Sequence, residues 1–152
     1  MNLLCLDPGG KKNKSSCGWA NFDLESGYLI DYGQIMPEDL PDLLKQLRPK
    51  KIIAENYRNL PHRQKAQNWS ENVASQVIGM ASMFQAMDDN CDELIIQEPA
   101  NKDVGVAWSG VRIPKDHDMG HQIMAYGHGV FYIVKNGIRR VTDYHGMKEK
   151  IA

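Results

Sequence analysis

Three short apolar runs each end on a polar residue, and this pattern constrains the fold more than any other feature of the chain. Leu3-Leu4-Cys5-Leu6 stops at Asp7-Pro8-Gly9-Gly10, Lys51-Ile52-Ile53-Ala54 stops at Glu55, and Glu93-Leu94-Ile95-Ile96-Gln97 is halted by Pro99. Runs this short and this apolar read as buried strands, and Asp-Pro-Gly-Gly reads as a tight turn closing the first. Cys17-Gly18-Trp19-Ala20-Asn21-Phe22 and Tyr28-Leu29-Ile30-Asp31-Tyr32 flank Glu25-Ser26-Gly27 in the manner of a hairpin. Leu40, Leu43, Leu44 and Leu47 form a helical stripe within 37–48, with Pro41 in its first turn. Val73, Val77, Met80, Phe84 and Met87 line one face of a longer helix over 68–87, where the methionines read as core packing. A polar loop is expected up to Pro114, then a last helix over 117–135, ended by Asn136-Gly137. The order β-β-β-α-β-α-β-α predicts an α/β fold, a mixed sheet flanked by helices.

At 152 residues, without repeats or a long linker, the chain reads as one domain over 1–152, with 138–152 as a tail. A hydrophobic share of 42% is enough for a core and excludes global disorder. Apolar runs fall short of the roughly 18 residues of a membrane span. The opening residues lack the basic and apolar regions of a signal peptide. Cys5, Cys17 and Cys91 are an odd set without short spacing, so neither a disulfide framework nor a cysteine zinc site is expected. These features predict a reducing, cytoplasmic setting.

A net charge of −1 argues against coating nucleic acid through bulk positive charge. Yet the basic residues are clustered. Lys11, Lys12 and Lys14 crowd one loop, and Arg58, Arg63 and Lys65 follow Tyr57. Both groups are candidate DNA contacts, against the alternative of solvated surface. Further clusters are Arg48, Lys50 and Lys51, and Arg139 and Arg140 with Lys148 and Lys150.

Asp7 and Glu55 each stand at the end of an apolar strand, where a lone carboxylate is costly without a compensating cation or donors. Brought together at one sheet end, the two repel, and a divalent cation removes the conflict. Asp118 and His121, three residues apart, share a helical face and complete such a site; the alternative is an N-cap and a surface histidine. His128, two turns beyond His121, reads as a packing or hydrogen-bonding residue. The set Asp7, Glu55, Asp118 and His121 supplies the parts of a two-metal phosphodiesterase site.

Leu4-Cys5-Leu6-Asp7-Pro8-Gly9, followed by Cys17-Gly18-Trp19-Ala20, resembles the opening of RuvC-like Holliday-junction resolvases of the RNase H-like superfamily. Ile52-Ile53-Ala54-Glu55 is similar to that family's second acidic strand. Ala74-Ser75-Gln76-Val77-Ile78-Gly79 and Gln97-Glu98-Pro99 fit the same succession, so the resemblance spans roughly 2–135. It implies an RNase H-like fold, a homodimer, Mg2+ or Mn2+, and cutting of branched DNA on paired strands. The compact length and the divergence look more like a bacteriophage member than a cellular one. One departure stands out. The family's last helix carries an acidic residue or histidine, two further residues, then Asp-Ala, whereas His121-Gln122-Ile123-Met124-Ala125 has methionine in place of that aspartate. Shifting the register by three gives Asp118-Met119-Gly120-His121, and either assignment retains His121. A non-catalytic nucleic-acid-binding or assembly protein on the same fold is the alternative reading. A two-lobed, actin-like nucleotide-binding fold needs a longer chain.

Overall fold

The computed structural model describes residues 1–11, 14–56, 64–111 and 120–144. Its core is a five-stranded mixed sheet of β1 (Asn2–Lys11), β2 (Lys14–Asp23), β3 (Leu29–Ile35), β4 (Lys51–Glu55) and β5 (Glu93–Gln97), in the order β3-β2-β1-β4-β5. β1 pairs antiparallel with β2 over its whole length and parallel with β4, while β5 lies parallel to β4. The helices are α1 (Leu40–Leu47), α2 (Gln64–Met87), α3 (Pro99–Ser109) and α4 (Gly120–Lys135).

Side-chain alternation along β1 divides the core in two. Leu3 and Cys5 pack with Ala20, Phe22 and Ile53 beneath Tyr126, Val130 and Ile133 of α4. Leu4 and Leu6 pack on the other face with Ile52, Leu40 and Leu44 of α1, and Val77 and Ala81 of α2. Because both faces are covered, the strand reads as a continuous apolar run rather than an alternating one. The same period carries Asp7 to the α4 face, two residues past Cys5. Glu55 follows Ile53, and Gln97 follows Ile95, in the same way.

The expected turn at Asp7-Pro8-Gly9-Gly10 is absent: β1 runs through it, with Asp7 opposite Gly18 and Gly10 opposite Ser15. The β1–β4 ladder ends at Leu6 and Ala54, so Pro8 has no β4 partner to lose through its missing N–H. A second correction concerns 99–109, expected as loop and found as α3. Pro99 sits in its first turn, and Gly110, at φ 71, closes it by donating to the carbonyls of Val106 and Ala107. Sparse apolar residues on α3 hide its periodicity.

Smaller differences have local causes. A short 3-10 turn, Pro37–Asp39, precedes α1, and α2 begins four residues before its expected start. Met87, expected in the core, is 77% exposed, because the last turn of α2 projects beyond the packed face. The stretch expected as a tail packs onto the body as far as Tyr144, which is fully buried, with the Arg139 guanidinium over the rings of Tyr28 and Tyr144. All three cysteines are free and buried. Among the described residues no helix is long and apolar enough to cross a membrane.

α3 and α4 cross at Gly105 and Gly127, where a Cβ on either would collide with backbone of the other helix. Gly127→Ala is therefore expected to cost about 2 kcal/mol of stability, as overpacking typically does. Urea denaturation measures it, and a wild-type midpoint would contradict the close crossing.

Candidate metal centre

Asp7 and Glu55 leave neighbouring parallel strands on the face covered by α3 and α4. Asp7 is 3% exposed. Lys102 of α3 reaches both carboxylates, its Nζ lying 2.6 Å from Glu55 Oε2 and 3.5 Å from Asp7 Oδ1. His121 Nδ1, in the first turn of α4, lies 2.7 Å from Asp7 Oδ2. His128 is fully buried, with Nδ1 2.7 Å from Gln97 Oε1 and Nε2 3.2 Å from Glu55 Oε2.

Glycines on β1 and β2 admit this approach. A Cβ on Gly9 would collide with the His121 ring, and one on Gly18 with the His121 backbone. The glycine after Asp7-Pro8 thus serves as clearance for α4 rather than as a turn residue.

Burial pushes the Asp7 carboxyl up from its ordinary value, and the neighbouring Glu55 adds to this, while His121 and Lys102 pull the other way. Burial also disfavours the Glu55 charge, but hydrogen bonds from His128, Asp7 and Lys102 outweigh it and hold Glu55 at about 2. When the pair holds one proton, these opposed shifts therefore favour it on Asp7 rather than on Glu55. Lys102 is raised: burial opposes its charge, and the two carboxylates more than compensate.

The linkage signs are opposite for the two acids. With its folded value raised, Asp7 contributes stability at low pH that is lost as pH rises through that value. Glu55 contributes stability above the ordinary glutamate range, lost as pH falls toward about 2. A cation bound by both competes with protonation of Asp7. Divalent-ion affinity is therefore expected to climb with pH from the ordinary aspartate range upward, with proton release. Calorimetry in buffers of different ionisation heat reads both, and a flat profile without proton release would contradict it.

One ligand atom each from Asp7, Glu55 and His128 lie within 4.8 Å of one another, a group able to hold a metal ion. Carboxylate oxygens with one imidazole suit magnesium or manganese better than a thiolate-seeking ion. If Nδ1–H of His128 donates to Gln97 Oε1, its Nε2 lone pair faces this cluster, the arrangement by which an outer partner fixes a ligand's tautomer.

Of the residues singled out in the sequence, Asp7, Glu55 and His121 meet here. Asp118 lies outside the described residues, as do Lys12, Tyr57, Arg58 and Arg63. Lys11 and Lys14 stand at the facing ends of β1 and β2, and Lys65 in the first turn of α2; their side chains are outside the description. Met124 is half-buried on α4.

Sequence reasoning missed Lys102, Gln97 and the placement of His128. The sequence pattern puts Lys102 on a loop. His128 does form hydrogen bonds, but within the carboxylate cluster, since seven helical residues come within about 20° of two full turns from His121. That spacing was the available signal.

No family model matches the chain, and no curated protein does. Among solved structures it is similar to Thermus thermophilus RuvC in complex with a Holliday junction substrate, with a TM-score of 0.61 at 12% identity, covering 91% of this chain and 98% of that one. RuvC of the same organism alone gives 0.60 at 12% identity, with the same coverages of 91% and 98%. Fowlpox virus resolvase with Holliday junction DNA gives 0.57 at 17% identity, covering 90% of this chain and 99% of that one. The chain therefore has the RuvC-like, RNase H-like α/β fold, as its sequence predicted.

Proposed function

We propose that this chain is a divalent-metal-dependent endodeoxyribonuclease that resolves four-way or other branched DNA by phosphodiester hydrolysis. The observation that carries this reading is the pair Asp7 and Glu55, just past the end of the ladder between adjacent strands, with His128 close enough to share an ion. The fold shared with proteins solved on Holliday junctions supports the substrate class. Mg2+ or Mn2+ is the cofactor, in a two-metal site completed by Asp118 and His121, and the acting form is a homodimer.

Metal bound here supplies Lewis-acid activation of water and stabilisation of the leaving oxygen. The chain's own residues do the rest. Asp7 and Glu55 bring the negative charge that binds and orients the ion, and rigid strands hold them in place. His121, its Nδ1 2.7 Å from Asp7 Oδ2 and its side chain 31% exposed, holds the Asp7 carboxylate in orientation at the edge of the site. Lys11, Lys12, Lys14, Tyr57, Arg58, Arg63 and Lys65 are the proposed DNA contacts, with the lysines and arginines on phosphates.

Labelled four-way, flap and linear DNA, each incubated with Mg2+ or Mn2+, test this directly. Paired cuts on the four-way substrate are expected. Equal cleavage of linear duplex, or none of any substrate, would overturn it.

Two observations favour a second reading, a binding or assembly protein without catalysis. Lys102 already neutralises part of the carboxylate charge, and Met124 stands where the family register calls for aspartate. Such a protein gains no thermal stability from Mn2+, whereas the nuclease does.

A further inference from the structure

We propose that Lys102 is a resident counter-ion of the carboxylate pair, which a divalent cation must displace in order to bind. The inference rests on the metal-centre reading and goes beyond it, by assigning a competitor for the site to the chain itself.

Geometry sets the two cations in competition. The ammonium lies 2.6 Å from Glu55 Oε2 and 3.5 Å from Asp7 Oδ1, between the same two carboxylates that would hold an ion. A magnesium ion sits about 2.1 Å from its carboxylate oxygens and tolerates no neighbouring ammonium there. The Lys102 side chain is 18% exposed, so its charge is matched mainly by these acids.

The backbone beneath it is fixed. The Lys102 carbonyl is among the nearest atoms to Gly127, at the crossing of α3 and α4. Displacement therefore proceeds through the flexible side chain alone, whose four-carbon stem can swing the ammonium toward solvent without moving either helix. Two consequences follow. Lys102 steadies the metal-free protein, and it weakens the metal affinity the acids would otherwise have.

Mn2+ titration by calorimetry, with thermal melts of the wild type and Lys102→Met, separates these effects. The methionine keeps the stem volume and removes the charge. Lys102→Met is expected to melt lower than the wild type without metal, to bind Mn2+ at least about fivefold more tightly, and to recover most of the melting difference at saturation. Equal or weaker Mn2+ binding by the variant, with the wild type binding normally, would overturn the counter-ion role and leave the metal centre intact. No Mn2+ binding by the wild type would overturn the metal centre, and this inference with it.

A measurement on the wild type covers a variant that does not fold. Amine acetylation followed by mass spectrometry is expected to show Lys102 reacting several-fold faster with Mg2+ than without. Lys51, paired with Glu93 at 2.8 Å on the surface, provides an internal reference that does not change. An unchanged Lys102 rate under Mg2+ saturation would overturn the displacement.

Discussion

Asp7→Asn is expected to abolish cleavage of branched DNA while raising the stability of the metal-free protein. Asparagine keeps the shape and removes the charge. The ion's share of transition-state stabilisation is several kcal/mol, and losing about 4 kcal/mol slows cleavage by on the order of 10³. Junction binding persists, because phosphate contacts come from lysine and arginine. The gain in stability follows from burial: Asp7 is 3% exposed and its ionisation is disfavoured beside Glu55. Removing that cost, with Lys102 still paired to Glu55, is worth about 1 kcal/mol, the usual direction when a functional site is disarmed. Single-turnover cleavage and urea denaturation read the two effects. Cleavage near the wild-type rate would contradict the role of Asp7, and a large loss of stability would contradict its electrostatics.

His128→Ala should be the most damaging single change to folding near the site. The imidazole is fully buried, lies 2.7 Å from Gln97 Oε1 and 3.2 Å from Glu55 Oε2, and fills space under α4. Its removal leaves the half-buried Glu55 carboxylate short of a partner and opens a cavity. The expected loss is about 3 kcal/mol. Gln97→Met is the gentler companion. It removes only the acceptor that orients the ring, so it should lower metal affinity by about 10- to 100-fold with a smaller loss of stability. Denaturation midpoints and Mn2+ titration of both variants check this. A His128→Ala protein as stable as the wild type would contradict the assigned contacts.

The strands were legible because burial on both faces leaves an unmistakable mark: Leu3–Leu6 and Ile52–Ala54 are apolar without alternation. The same runs, read two residues further, put Asp7 and Glu55 on one face, so the acidic pair could be found from strand period alone. What failed was punctuation. Pro8 and Gly9 looked like a turn because those residues favour turns, yet a strand that loses its β4 neighbour at Leu6 tolerates proline, and an incoming helix demands glycine. Pro99 reads as a stop but forms the first turn of α3, which hides the helical placement of Lys102. Long-range partners such as Lys102 to Glu55, 47 residues apart, leave no local trace at all. Nor does the sequence tell His128 near Glu55 from a core histidine, since only the docking of α4 on the sheet decides it.

Asp7 and Glu55, where β1 parts from β4, form a carboxylate pair built to hold a divalent ion. A crystal structure grown with Mn2+, with the ion located by its anomalous scattering, tests it most directly. The account predicts manganese between Asp7 and Glu55, within bonding distance of both, with the Lys102 ammonium withdrawn. Manganese bound elsewhere, or Lys102 still bridging the two carboxylates at saturating metal, would contradict it.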